Sequence, residues 1–240
     1  MTHLFVSDLH LDASAPDAIA AFERFLAHEA RGAASLYILG DLFEAWIGDD
    51  DAEPQRSRVC EALRRATAAG LPCFVLRGNR DFLFGPGFCE RTGARLLPDA
   101  VIARLDDTPV LLAHGDQFCT DDHAYQELRA IVRSPAWQRR FLSLPADART
   151  MLADEARAGS RAHTARVVPR IMDVNENAVQ AVLRASGARW LIHGHTHRPG
   201  AHEYSVDGER AMRLVLGAWY EQGSYLRWSR GEFQSVTLAA

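Results

Sequence analysis

The 240-residue sequence predicts an α/β fold: a sandwich of mixed β-sheets flanked by helices, with one helical insertion. Three observations predict it. Short aliphatic runs repeatedly end in a polar, ligand-capable residue, helical patterns separate the first three runs, and the C-terminal part reads as antiparallel strands.

The first run is LFVSD (4–8). Runs of four to seven apolar residues bounded by Gly read as strands buried on both faces. A helical pattern follows Pro16, spans roughly 17–31 and closes before Gly32. LYILGD (36–41) is the second strand, and a helix over roughly 55–69 follows Pro54 and closes at Gly70. CFVLRGN (73–79), VLLAHGD (110–116) and WLIHGH (190–195) complete the set. From about 201 to 240, RLVLGAWY, SYLRWS and FQSVTLA read as antiparallel strands with little helix. Between roughly 121 and 170 strand signals vanish, and Pro135, Pro145 and Pro169 punctuate helical stretches. Residues 123–170 hold nine Arg against four acidic residues, whereas the whole chain carries a net −4. Tyr125, Leu128, Ile131, Val132, Trp137, Phe141 and Leu142 interleave with Arg129, Arg133, Arg139 and Arg140, as in an amphipathic helical cap inserted into a single domain spanning 1–240.

Composition narrows the function. A net charge of −4 gives no reason to expect a nucleic-acid binder. The basic residues are all Arg, which coding bias explains and which also suits phosphate recognition. The four cysteines show no CxxC pairing, the pattern of a reduced, cytosolic compartment. No signal peptide and no membrane-spanning run of ~20 apolar residues is expected, which leaves peripheral attachment open. No heptad or interface stripe calls for an obligatory protein partner.

The chemistry lies at the strand ends. They supply Asp8 and His10 (DLH), Asp41 (GDLFE), Asn79 (GNRD), His114 (HGD), and His195 with His197 (GHTH). In parallel α/β sheets functional groups gather at the carboxyl ends of strands, so these seven residues are expected at one edge. Neighbouring Gly40, Gly78, Gly115 and Gly194 permit close backbone approach. Carboxylate, amide and imidazole donors without thiolate suit Mn²⁺, Fe²⁺ or Zn²⁺. One carboxylate can bridge two ions about 3.5–4 Å apart, a spacing useful for displacement at phosphorus. Singly, these motifs are weak: D-x-H is more often a turn or cap, GD and GN are common turn dipeptides, and His193 reads as a packed strand histidine. G-H-x-H is stronger, and the ordered set stronger still.

D-x-H, GD, GN, H and GHxH, from Asp8 to His197, resemble the calcineurin-like metallophosphoesterase superfamily. That resemblance implies an αββα sandwich and two divalent cations. Asp8, His10, Asp41 and His197 would hold one; Asp41, Asn79, His114 and His195 the other. FVSDLHL, GDLFEAWIGDD, GNRDFL, AHGDQFCTDD, IMDVN and HGHTHRP further resemble the UDP-2,3-diacylglucosamine hydrolases (pyrophosphatases) of lipid A biosynthesis. This implies a nucleotide-sugar lipid substrate, Mn²⁺, attack at the α-phosphate, and action at the cytoplasmic face of the inner membrane of a Gram-negative bacterium. It also implies phosphate contacts from Asn79, Arg80 and His195, and substrate contacts from Asp122 and Ser160, with Thr164 where relatives commonly have Asn. Val167 stands where relatives often have Lys, and Arg166 beside it is a candidate to carry that charge.

Arg80 occupies the place where phosphomonoesterase relatives usually carry His. A phosphate leaving group is weakly basic and needs its charge neutralised rather than a proton, a task suited to a guanidinium. The competing expectation is an ion pair of Arg80 with Asp81 or Glu44. For the insertion, a groove for two acyl chains and Arg-rich faces for an anionic membrane surface compete with a small core of its own around Trp137 and Phe141. Rival activities are a dinucleoside polyphosphatase, a cyclic-nucleotide phosphodiesterase and a non-catalytic scaffold.

Overall fold

The computed structural model describes residues 1–164, 171–220 and 222–238. Four strands run parallel in one sheet: β1 (Thr2–Val6), β2 (Ser35–Leu39), β3 (Cys73–Leu76) and β4 (Arg95–Leu96). The second sheet contains β5 (Ala100–Leu105), β6 (Thr108–Ala113), β7 (Trp190–His193), β8 (Gly200–Val206) and β9 (Glu209–Val215). The chain then returns to the first sheet as β10 (Ser224–Ser229) and β11 (Glu232–Thr237), giving the orders β11-β10-β1-β2-β3-β4 and β5-β6-β7-β9-β8.

Both sheets are mixed. β10 lies antiparallel to β1, while β6, β7 and β9 run parallel between antiparallel edges. The C-terminal strands are therefore not one antiparallel group. β9 pairs parallel with β7, and its strand stops at Val215, so Gly217 to Tyr220 fall in a loop.

Alternation along the strands creates the layers. Leu4 and Val6 face α1 (Pro16–Ala27) and α2 (Pro54–Ala68) and pack with Phe22, Phe25 and Leu63. Phe5 points the other way and joins Tyr37, Leu112, Ile192 and Trp228 between the sheets. Phe5, Tyr37 and Phe74 form a ladder of stacked rings with centroids 5.0 Å apart. The far face of the second sheet packs Leu111 and Leu191 on Val179 and Leu183 of a helix, Glu176–Ser186, not foreseen from the pattern. The predicted αββα layering is thus present.

Helix boundaries follow local chemistry. α2 begins at a Pro and is capped by Glu53, whose carboxylate accepts from the N–H groups of Gln55 and Arg56. α1 ends at Ala27 rather than near 31, because the Ala30 N–H reaches back to the Phe25 carbonyl and closes the last turn.

A short helix, α3 (Pro86–Thr92), precedes β4. The segment rich in Arg forms α4 (His123–Val132), α5 (Pro135–Leu142) and α6 (Ala146–Thr164), so its helical reading holds. Its aromatic residues do not form a separate core. Trp137 stacks on Phe141 at 4.9 Å and rests on Phe82 at 5.9 Å, joining the core of the first sheet. Arg149 fastens α6 to the loop after β2, donating to the Ile47 carbonyl at 2.7 Å and to Asp50. Leu128, Ile131, Leu142, Met151 and Leu152 remain exposed on these three helices. Among the described residues no helix is long and apolar enough to cross a membrane.

Candidate metal centre

The loops leaving β1, β2, β3, β6 and β7 converge at one edge of the sandwich. Asp8, His10, Asp41, His195 and His197 all adopt left-handed backbone, with φ between 50° and 68°. For residues with a Cβ this conformation costs on the order of 1 kcal/mol each and persists where the surroundings enforce it. Close approach enforces it here. A Cβ on Gly78 would lie 2.0 Å from Asp41 Oδ1, and one on Gly194 would lie 2.2 Å from Asp8 Oδ2.

Asp8 is fully buried. Its Oδ2 accepts from the Ser7 hydroxyl at 2.5 Å and the His195 N–H at 2.8 Å. Its Oδ1 is buried without a hydrogen-bond partner and lies 3.3 Å from His197 Nε2 and 4.0 Å from His10 Nε2. Those two ring nitrogens face each other at 3.4 Å. Asp41 presents one oxygen to each side of the site: Oδ2 lies 3.8 Å from His10 Nε2, and Oδ1 lies 3.7 Å from His114 Nε2. On the second side Asn79 Oδ1 meets His114 Nε2 at 2.9 Å and His195 Nδ1 at 2.8 Å. All seven predicted residues are brought together.

Two groups among them have the span of a cation site. The donor atoms of Asp8, His10 and His197, and likewise those of Asp8, Asp41 and His114, lie within 4.8 Å of one another. Asp8 therefore also borders the second group. The donor set fits divalent cations on structural grounds. A buried carboxylate oxygen without a partner, aimed at two imidazole nitrogens, is costly unless a cation satisfies it.

The imidazoles are pre-oriented. His10 Nδ1 donates to Glu44 at 2.9 Å and His114 Nδ1 donates to the Leu39 carbonyl at 2.8 Å, which turns each Nε2 inward. Burial disfavours protonation of His114, but the carboxylates of Asp41, Asp8 and Asp116 outweigh it and raise its pKa. In His195, burial and the neighbouring His114 prevail and push the pKa down to about 4. Burial opposes ionisation of Asp8, yet its contact with His197 and the charges of His114 and His10 hold it below the usual carboxylate range.

Arg80 makes no direct ion pair with Asp81 or Glu44 among the described residues. Burial opposes ionisation of Glu44, but the hydrogen bond from His10 and, after it, the Arg80 charge hold its carboxyl below the usual range. Asp81 is fully buried and accepts from the N–H groups of Leu42 at 2.7 Å and Gly78 at 2.8 Å, and Glu44 serves His10. Arg80 donates its backbone N–H to Asp41 Oδ1, and its side-chain Nε is buried without a partner. A cleft of about 480 Å³ opens over the centre and brings Arg80, Asp122 and Ser160 to the same wall system as Asn79 and His195. Asp122 also caps α4 through the Tyr125 N–H. The side chain of Thr164, and Arg166 and Val167 entirely, lie outside the described residues. His193 is packed as expected, donating to the Gly194 carbonyl and accepting from Arg213 at 3.2 Å.

Several residues escaped the sequence reading. The Tyr125 ring stacks on His195 at 5.9 Å and its hydroxyl donates to buried Asp116 at 2.8 Å. Arg129 donates to the same carboxylate, and Arg133 reaches the Gly78 carbonyl. Asp81 and Asp116 stood inside the GNRD and HGD motifs and could have been suspected; Tyr125 and Tyr220 carried no signal.

The calcineurin-like phosphoesterase family model matches residues 1–199. The chain is 49% identical over 227 residues to a Salmonella arizonae protein and equally to one from Salmonella typhi, covering 95% of this chain and 95% of each. It is 47% identical over 246 residues to a Stenotrophomonas maltophilia protein, covering 100% of this chain and 99% of that one. All three relatives are named UDP-2,3-diacylglucosamine hydrolase. A strained, imidazole-rich centre at the sheet edge and this degree of identity lead to one conclusion: the chain belongs to the calcineurin-like phosphoesterase family, in the branch of the UDP-2,3-diacylglucosamine hydrolases.

Proposed function

We propose that the chain hydrolyses the pyrophosphate bond of UDP-2,3-diacylglucosamine, giving UMP and 2,3-diacylglucosamine 1-phosphate, in lipid A biosynthesis. The observation that carries this reading is the divided carboxylate of Asp41, one oxygen toward His10 and the other toward His114. Asp8, His10, Asp41 and His197 would hold one cation, and Asp41, Asn79, His114 and His195 a second, with Mn²⁺ the expected ion. When bound, such cations acidify water and neutralise phosphoryl charge. Water attacks the α-phosphorus, the bond from that phosphorus to the bridging oxygen breaks, and the sugar phosphate leaves with the bridging oxygen.

The protein's own groups supply the rest. Arg80 faces the cleft with an unsatisfied guanidinium nitrogen and neutralises the departing phosphate. Asn79 and His195 hold the phosphates, while Asp122 and Ser160 line the same cleft and bind the glucosamine half. Thr164 and Arg166, near Val167, are proposed to extend that contact. The helices α4–α6 act as a cap over the acylated half. Their exposed Leu128, Ile131, Met151 and Leu152, with neighbouring Arg side chains, support peripheral binding to an anionic inner-membrane surface on the cytoplasmic side.

Incubation of the purified protein with Mn²⁺ and either UDP-2,3-diacylglucosamine or diadenosine tetraphosphate tests the assignment. Turnover of the glycolipid by at least two orders of magnitude over the dinucleotide is expected. Equal or faster turnover of the dinucleotide would overturn it.

A further inference from the structure

Among the described residues that line the cleft, Tyr220 is a large aromatic side chain beside His10 and His197. Tyr220 lines the cleft and is 63% exposed. One face of its ring is stacked on His10 at 5.0 Å and 14°, and His197 meets it edge-on at 5.2 Å. Much of the rest of the ring is open to solvent. Leaving a tyrosine ring exposed forgoes the burial that aromatic side chains usually gain.

Its position is nevertheless fixed. The preceding residue, Trp219, is buried against Phe22 and Phe25. The Trp219 N–H donates to the Asp8 carbonyl at 3.1 Å and its indole N–H donates to the Ser224 carbonyl at 2.8 Å. The loop between β9 and β10 is thus pinned to the loop leaving β1, at the very residue that opens the metal centre. A preset ring with one free face is a stacking platform for a planar group.

The cleft also has two unlike ends. Tyr125 of α4 stacks on His195, and Asp122 from the turn before α4 and Ser160 from α6 line the same cleft. Tyr220 stands at the opposite histidines, His10 and His197. The helices α4–α6 that bear these residues also carry exposed apolar side chains suited to an acylated sugar. The Tyr220 end has an aromatic face and no comparable apolar cover among the described residues.

We infer that Tyr220 is the nucleobase platform of the cleft, stacking the uracil ring of the substrate's nucleotide half on its outer face while the pyrophosphate spans the centre. This rests on the functional reading above and assigns a direction to the substrate within it. The contact is made by the ring face, so the hydroxyl is dispensable.

Product inhibition separates the two ends. Inhibition constants for UMP and for 2,3-diacylglucosamine 1-phosphate are measured on the full-length protein and on Tyr220→Ala and Tyr220→Phe, with UMP binding followed independently by calorimetry. Tyr220→Ala is expected to weaken UMP about tenfold and leave the sugar phosphate within twofold, while Tyr220→Phe keeps UMP near the wild-type value. Unchanged UMP affinity in Tyr220→Ala would overturn the inference. Equal weakening of both products would also overturn it, because it would show that Tyr220 merely props His10. A wild-type protein that does not hydrolyse the nucleotide glycolipid would instead defeat the functional reading itself.

Discussion

Glu44 shows how a residue remote from any reacting atom can set the centre. Its carboxylate accepts a hydrogen bond from the His10 Nδ1–H at 2.9 Å and leaves the Nε2 lone pair facing inward. Glu44→Gln keeps the shape but weakens the acceptor, so Mn²⁺ affinity is expected to fall about 10- to 100-fold with little loss of fold. Titration followed by calorimetry, beside far-ultraviolet dichroism, checks this; unchanged affinity would show that His10 needs no orienting partner. At this scale the sequence was most legible where the chemistry is carried by residue type. The seven ligand-type residues could be found because each ends an apolar run, and the structure brings all seven together. What stayed hidden were partners set by three-dimensional approach. Ser7 hydrogen-bonds Asp8 only because of the turn, and Tyr125 finds His195 across 70 positions that no local pattern links.

Among the elements, α4 has the strongest tie to the centre. Asp116, essentially buried, accepts from the Arg129 Nε at 2.7 Å and the Tyr125 hydroxyl, while Arg133 lies 3.8 Å away and bonds the Gly78 carbonyl. Asp99 receives both arginines from outside. Arg129→Ala strands a buried carboxylate and is expected to cost about 3 kcal/mol, toward the low end for breaking such a pair because Arg133 remains. In a chain of this size that lowers the melting temperature by on the order of 10 °C. The same change placed on Asp116→Asn should cost far less, since the charge to be stranded is already gone. Additive losses in thermal scans would contradict the pairing. The arginines of this segment read from sequence as a charged face, and Arg129 and Arg133 instead turn inward. Composition gives the excess of charge but not its direction. Strand connectivity was hidden for a related reason: β9 is parallel to β7 because the chain returns through the hairpin of β8, which period-two alternation does not reveal.

For the whole molecule, the αββα layers were readable because the aliphatic strands had to be buried on both faces, and three separate cores supply that burial. The helices α4–α6 are docked on the sandwich but keep apolar side chains at the surface, with Ile131 and Met151 at 55% and 66% exposure. If this surface meets a membrane, the protein should sediment with phosphatidylglycerol vesicles at low salt and lose them as salt rises. Ile131→Ser with Met151→Ser should weaken that binding by about tenfold or more, since each apolar side chain buried in lipid contributes more than 1 kcal/mol. Equal binding to neutral vesicles, or no effect of the pair, would count against a peripheral role.

The central claim is a pair of cations sharing Asp41. Anomalous diffraction at the manganese edge, from crystals grown with Mn²⁺, measures it directly. The account predicts two peaks, one among Asp8, His10 and His197 and one among Asn79, His114 and His195, with an Asp41 oxygen facing each. A single peak, or two that leave Asp41 uncoordinated, would contradict it.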